Sequence, residues 1–585
     1  MEYNLNKPAP KIKNWTALKN LLGLMTHERP RLIAAFVMMM MNSGLNLLGP
    51  LLGAIVINRY IVTAHPNYPM VLQFGLLFLG MYVIALFTGY MQTRLMAGFG
   101  QRLLYTLRNS IFGKLQGLPV AFFNQNKAGD LISRVNNDTD KLNQFFSQSL
   151  MQFLASLFIM TGAALFMLFF NWRLGAATLA PGLLLYLFTR LTSAWVKKKN
   201  AQSMKSVGGL SAEIQESLHN FKVIIAFNRR DYFRKKFEES NQDNYHTAVR
   251  AGVANNIYQP VFGFFAGLGQ LVVLIFGIYL MRQGQGFKLG DLIAFLAYAT
   301  NFYNPLRQLA ALWANFQVAL AGWDRISAIL RLESNLPLLA AGHATGGAVI
   351  SFRDVHFHYP DGKEVLHNIG FDLERGKTYA FIGPTGGGKT TTANLIARLY
   401  DPSQGVVRLH GRDIRSFTPE ERTRMIGFIL QEPILFSGTL KENILYGNTE
   451  YAGLSAEQVR VLLDSAGLEG LVDRFELGLD TPVASGGEAL SLGQKQLIAF
   501  MRAVLRHPDL LILDEATANI DTVTEQLLEE ILRKLPLSTT RVIIAHRLNT
   551  IETADEIFFV NSGEVTRAGS LQDAVGMLLH GKRVS

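Results

Sequence analysis

Hydrophobic and polar positions divide the chain into two textures. Over its first half, apolar residues run in long unbroken stretches; later they come in short runs between polar turns. Six stretches reach the ~20 helical residues that a bilayer core requires: about 31–58, 70–93, 146–171, 174–195, 257–281 and 290–318. "RLIAAFVMMMMNSGLNLLGPLLGAIVI" and "GFFAGLGQLVVLIFGIYLM" run too long without a charge for buried helices of a water-soluble protein. The pattern predicts an N-terminal cytoplasmic segment, 1–30, followed by a membrane all-α domain with six transmembrane helices over 31–325.

The connections set the orientation. The segment between the second and third stretches carries Arg102, Arg108, Lys114, Lys127, Arg134 and Lys141. The one between the fourth and fifth carries Lys197, Lys198, Lys199, Lys205, Lys222 and five further cations up to Lys236. The other three connections are short. Long basic loops face the cytoplasm, and both termini follow them there. Apolar residues keep helical spacing inside these loops, so the membrane helices are expected to extend past the bilayer. They would turn near "FFNQNKAGD" and "ESLHNF".

An Ala- and Gly-rich linker, 326–346, leads to a cytoplasmic α/β domain over 347–585, where β-like runs such as "TYAFIG" and "LLILDE" alternate with amphipathic helices. The formal net charge of +11 suits nucleic acid or loops facing anionic lipid. The cations flank apolar spans, which favours membrane lipid and no nucleic acid. Without cysteine, the chain forms no disulfide or thiolate metal site. "MEYNLNKPAPKIKNW" lacks the apolar core of a cleavable signal peptide, so the first span is expected to direct insertion.

Gly383-Pro384-Thr385-Gly386-Gly387-Gly388-Lys389-Thr390 fits the P-loop pattern, between a strand-like and a helix-like run. Its backbone N–H groups are expected to cradle ATP phosphates, with Lys389 on the β- and γ-phosphates and the Thr390 hydroxyl on Mg²⁺; Thr391 follows in the same site. Asp514 and Glu515 end an apolar strand, and so reach the carboxyl edge of a parallel sheet, where a nucleotide lies. Asp514 would hold Mg²⁺ through its shell and Glu515 would polarise the attacking water. Gln431 and His546 also stand at strand ends; a lone His there is more often structural than catalytic. Tyr359 suits either adenine stacking or the core.

Taken in order, Tyr359, the P-loop, Gln431, the run Leu490-Ser491-Leu492-Gly493-Gln494, Asp514-Glu515, "ANID" at 518–521 and His546 resemble an ATP-binding-cassette (ABC) exporter half-transporter over nearly the whole chain. The resemblance implies a membrane all-α domain of ABC exporter type plus a cytoplasmic α/β P-loop NTPase domain, in a bacterial cytoplasmic membrane. It implies that Gln431 senses Mg²⁺ and the membrane domain, and that His546 contacts the γ-phosphate beside Glu515. The turns near 122–126 and 216–222 look like the coupling helices of that family. Two cassettes would sandwich two ATP molecules, with Ser491, Leu492, Gly493 and Gln494 acting on the ATP of the partner chain.

Two departures stand out. The signature has Leu492 where the family has glycine, and Ser485 and Gly486 replace the usual Glu-Arg pair upstream. Leucine keeps the backbone N–H but adds a bulky side chain where close approach is wanted. With Lys389, Thr390, Gln431, Asp514, Glu515 and His546 all in place, this resembles one half of the family's heterodimeric multidrug exporters, with one degenerate ATP site. A homodimer that tolerates Leu492, such as a lipid flippase, stays open, as does an ATP-gated channel or regulator. Cargo is weakly encoded. Asn301, Tyr303, Asn304, Arg307 and Gln308 are expected to line a water-filled cavity, where Arg307 either attracts an anionic head group or lies near the inner interface.

Overall fold

A computed structural model describes residues 3–5, 23, 28–63, 65–284, 286–334, 336–340, 342, 344, 346–360, 362–514, 522–544 and 551–580. It divides into two compact units: one holds Lys7–Leu115 together with Gly129–Arg331, and the other holds Met1–Asn6 and Gln116–Ala128 with the chain from Leu332 on.

The first unit is helical. Its long elements are α1 (Arg29–Ile61), α2 (Tyr68–Gln116), α4 (Ala128–Phe170), α5 (Trp172–His219), α7 (Arg230–Arg282) and α8 (Leu289–Leu330). The short helix α6 (Phe221–Ala226) falls at the turn between α5 and α7, and α3 (Val120–Gln125), which belongs to the second unit, falls between α2 and α4. The second turn falls at Asn220, within the stretch its sequence suggests, because α5 continues through His219. Among the described residues five helices are long and apolar enough to cross a membrane. The sixth stretch is also one helix, α8, but its Asn, Gln and Arg side chains dilute its hydropathy. At about 1.5 Å per residue, the 49 residues of α2 span more than twice a ~30 Å hydrocarbon layer, so the helix outruns the bilayer as its polar end predicts.

The core of this unit joins five helices. Leu47 of α1, Met167 of α4, Leu174 of α5, Val273 of α7 and Phe295 of α8 are buried together. Tyr298 stacks on Phe166 at 5.3 Å and donates its hydroxyl to the Leu47 carbonyl at 2.8 Å, which satisfies a polar group inside an apolar layer. Close approach is set by small residues: a Cβ at Gly269 would stand 2.4 Å from the Tyr303 ring. Tyr303 is itself buried and donates to the Thr178 carbonyl at 2.7 Å. It therefore packs between helices and does not line a cavity, contrary to the expectation for it.

The second unit is α/β. Strands β1 (Ile350–His358), β2 (Glu364–Leu373), β4 (Gln404–Leu409) and β5 (Arg412–Asp413) form an antiparallel sheet in the order β2-β1-β4-β5. Strands β3 (Thr378–Ile382), β6 (Ile426–Ile429), β9 (Leu510–Asp514), β10 (Thr540–Ile544), β11 (Glu556–Asn561) and β12 (Glu564–Ala568) form the other, ordered β12-β11-β3-β10-β9-β6. It is parallel except for β12. A two-stranded ribbon pairs β7 (Gly438–Thr439) with β8 (Pro482–Val483). Every residue of β3 and β9 is buried, as expected of strands covered on both faces. Helix α9 (Lys389–Ile396) follows the P-loop, α10 (Leu492–Val504) follows Ser491, and α11 (Thr522–Lys534) precedes β10.

Candidate functional site

The parallel sheet brings the predicted residues to one edge. Ile544 of β10 is level with Phe381 of β3 on one side and Asp514 of β9 on the other, and Ile429 of β6 is level with Leu513. The P-loop, Asp514 and Gln431 thus leave the sheet at the same carboxyl end, although they lie far apart in the chain. Glu515 and His546, which follow β9 and β10 in the sequence, lie outside the described residues, as does the 518–521 turn.

The P-loop wraps closely over β11. Gly383 and Gly388 have φ of 143° and 117°, and a Cβ at Gly383 would stand 2.0 Å from the Val560 carbonyl oxygen. A larger residue would be strained in its backbone and would strike the neighbouring strand. Gly388 then caps α9, whose first turn presents Lys389, Thr390 and Thr391. Lys389, only 6% exposed, donates from Nζ to the carbonyls of Gly383 (2.7 Å) and Pro384 (3.1 Å). The amine is therefore held over the loop whose N–H groups the motif aims at phosphate.

Thr390 Oγ1 donates to Asp514 Oδ1 at 3.4 Å, and Asp514 is buried. A hydroxyl beside a carboxylate is a hard-oxygen pair that suits Mg²⁺, which is held by one or two protein oxygens with substrate phosphates and water. Gln431 is exposed at this edge, and its backbone carbonyl accepts from Gln496 Nε2 at 2.9 Å. Gln496 is 1% exposed and ties the Gln431 segment to α10.

Tyr359 packs on the domain beside the P-loop helix. Its ring stands edge-on to Phe357 (4.9 Å) and Tyr400 (5.3 Å), and its hydroxyl lies 3.0 Å from Thr391 Oγ1. It is half-buried, packed on the domain on one side and open beside the P-loop helix on the other.

The signature caps its helix. Ser491 Oγ accepts from the Gln494 N–H at 3.2 Å, and Gln494 Oε1 accepts from the Ser491 N–H at 3.0 Å. This reciprocal pair fixes the N-terminus of α10, where the backbone dipole favours an anion. Leu492 occupies the first helical position, and its side chain packs against the unit's own core beside Leu490. That turns the added bulk inward. Upstream, Gly486 adopts φ of 70°, and its carbonyl accepts from Lys495 Nζ at 2.8 Å. The arginine that the family carries there would strain this backbone.

Three participants were not legible in the sequence. Tyr400 ends the run after the P-loop and had only its ring as a signal. Gln496 looked like any polar residue of a surface helix. The Val560 carbonyl bears no side-chain signal at all.

Residues 32–306 match the ABC transporter transmembrane region, and residues 366–518 match the ABC transporter family. Over 562 residues the chain is 32% identical to an uncharacterized ABC transporter ATP-binding protein, YfiC, of Bacillus subtilis, covering 95% of this chain and 92% of that one. It is 33% identical over 494 residues to a fatty acid ABC transporter ATP-binding/permease protein of Mycobacterium tuberculosis, covering 84% and 77%. It is 30% identical over 504 residues to a multidrug resistance ABC transporter ATP-binding and permease protein of Lactococcus lactis, covering 84% of each.

Proposed function

Because the chain belongs to the ABC transporter family, and is thus an ATP-binding membrane protein whose ATPase is coupled to transport, we propose that it exports lipophilic compounds, multidrug or lipid-like, as one half of a heterodimer with one degenerate ATP site. The membrane domain would span 31–325 in the bacterial cytoplasmic membrane, and the linker 326–346 would join it to the nucleotide-binding domain 347–585 on the cytoplasmic side. The names of the fatty acid and multidrug relatives support a lipophilic cargo.

In this reading the P-loop amides and Lys389 hold the phosphates of ATP, and Tyr359 holds adenine. Mg²⁺, when bound, would neutralise phosphate charge from Thr390 and Asp514, with Gln431 at its shell. Glu515 orients the attacking water, and His546 contacts the γ-phosphate. Ser491, the Leu492 N–H, Gly493 and Gln494 face the ATP held by the partner chain. To drive the cycle from 1:99 to 99:1, ATP must prefer the closed state by about 5.5 kcal/mol.

The observation that carries the heterodimer is the asymmetry within one chain: a P-loop side with its parts assembled, and a signature with Leu492 in place of glycine. The chain purified alone in nanodiscs is expected to hydrolyse ATP weakly, and to recover on pairing with a half-transporter bearing an unaltered signature. Vigorous turnover by the chain alone, with both nucleotides of a dimer cleaved equally, would defeat this reading. A homodimeric lipid exporter is the second reading. The inward packing of Leu492 favours it, since that side chain leaves the Ser491 cap intact.

A further inference from the structure

Helix α8 carries one isolated charge. Arg307 is the only charged residue between Asp291 and Asp324. It stands eighteen residues past Leu289, about 27 Å along the helix at ~1.5 Å per residue. That is near the end of a hydrocarbon layer about 30 Å thick, on the side from which the chain continues to the linker.

The surroundings of Arg307 are polar on one face only. Asn304, Arg307 and Gln308 are exposed, while Tyr303, Pro305 and Leu312 are buried against the unit. The polar face widens onto two neighbouring helices: Gln152 of α4 donates to Gln308 Oε1 at 3.4 Å, and Gln270 of α7 donates to Thr300 Oγ1 at 3.3 Å. Elsewhere the exposed positions of the long helices are residues such as Leu72, Leu86, Leu165 and Leu183, which suit lipid. Toward the linker, the half-exposed Trp313 lies 6.4 Å from the Phe153 ring and offers an apolar shelf.

Among the described residues Arg307 forms no ion pair with a carboxylate. A guanidinium at this depth is tolerated where it meets water or an anion, and its planar fork matches the two oxygens of a carboxylate or phosphate. Glutamine and asparagine beside it add neutral donors, and aromatic surface nearly two turns away suits an acyl chain. Water alone would satisfy the charge, but it would not explain an aromatic shelf adjoining the polar one.

We propose that Arg307 is a specificity-determining residue that selects an amphiphile with an acidic head group, its carboxylate or phosphate held by the guanidinium and its tail on the Phe153–Trp313 side. The proposal rests on the reading of a lipophilic exporter and names the class of its cargo.

The test is competition binding to the full-length chain in nanodiscs of zwitterionic lipid, using a fluorescent C18 fatty acid as tracer. Oleate, oleyl alcohol and oleylamine compete; their tails match and only the head groups differ. Oleate is expected to compete about tenfold better than the alcohol, as a charge-assisted bidentate contact requires, with the amine weakest. Arg307→Gln should bring oleate to the level of the alcohol, while Arg307→Lys keeps most of the preference. Equal competition by acid and alcohol in the wild type, or an acid preference that survives Arg307→Gln, would overturn the proposal and leave the exporter reading standing. Failure of all three to compete would remove the lipophilic cargo as well. Loss of the dimer in Arg307→Gln with the acid preference intact would assign the stripe to a seam between subunits and also overturn the proposal.

Discussion

The side-chain amide of Asn124 donates to the Tyr400 hydroxyl at 2.8 Å, and the Tyr400 ring stands edge-on to Tyr359 at 5.3 Å. Tyr359 in turn meets Thr391 of the P-loop helix. Two side chains therefore connect the short helix α3 to the candidate nucleotide site within one unit. Phe122 and Tyr3, both buried, fix α3 in place with an edge-on contact at 6.2 Å. Burial holds the Tyr400 phenol above its ordinary value, against the pull of the Asn124 bond, so the hydroxyl stays neutral at physiological pH. Tyr400→Phe deletes the bond and keeps the ring. A neutral hydrogen bond is worth about 1 kcal/mol, so stimulation of the ATPase by cargo should fall about fivefold with ATP affinity nearly unchanged. Titrating cargo at saturating ATP checks this; equal stimulation would deny the link.

Tyr359 offers a ring and a hydroxyl, and two variants separate them. Tyr359→Ala should weaken ATP binding about tenfold, within the 1–3 kcal/mol of an aromatic–base stack. Tyr359→Phe should bind almost as well as the wild type. Equilibrium binding of a fluorescent ATP analogue decides, and an unchanged affinity in the alanine variant would return Tyr359 to the core.

Three substitutions dissect the phosphate side. Lys389→Ala removes the buried amine and should slow hydrolysis by about 10²–10³, the usual cost of losing one preorganised donor to developing charge. Asp514→Asn breaks the pair with Thr390 and should raise the Mg²⁺ concentration needed for turnover. Glu515→Gln should leave ATP bound and uncleaved. Phosphate release measured beside trapped nucleotide distinguishes them, and brisk hydrolysis by Glu515→Gln would require another base.

Leu492 has two jobs to separate. Its packing on the core implies that Leu492→Gly lowers stability by about 1–2 kcal/mol, from lost apolar burial and from backbone freedom at the helix start. If the side chain also hinders the facing pocket, the same variant should hydrolyse ATP faster in the assembled transporter. Thermal unfolding and turnover on the same preparation give both answers. A loss of stability with unchanged turnover would make Leu492 a packing residue.

Asp138 ties α4 to the linker end of α8. It is 2% exposed and accepts two bonds from Arg325 of α8, at 2.5 and 2.6 Å, with Lys141 at 3.2 Å. Asp138→Ala leaves both cations partly exposed to water and should cost about 1 kcal/mol, read as a lower melting temperature in nanodiscs. A melting temperature equal to the wild type would show that water already screens the pair.

Much of the site was readable in order along the chain, because phosphate chemistry restricts it to few residue types. Glycines at 383, 386 and 388 announce a backbone with positive φ, and Ser491 followed by Gln494 announces a capped helix. Tyr303 was misread for a physical reason: a phenol in a membrane helix suits water or a carbonyl equally, and only the neighbouring helix supplied Thr178.

The sequence by itself determined the kinds of element and their chemistry. Long apolar runs must be helices where no water satisfies the backbone, and a P-loop between strand and helix must cradle phosphate. What only the tertiary structure decided was adjacency. The strand order places β10 between β3 and β9, and so sets Thr390 beside Asp514, 124 residues away. The core on which Leu492 rests draws on β6, β9, α10 and α11 at once. Periodicity is a local property of the chain, written residue by residue; which side chain meets which across an interior depends on how all the layers close together.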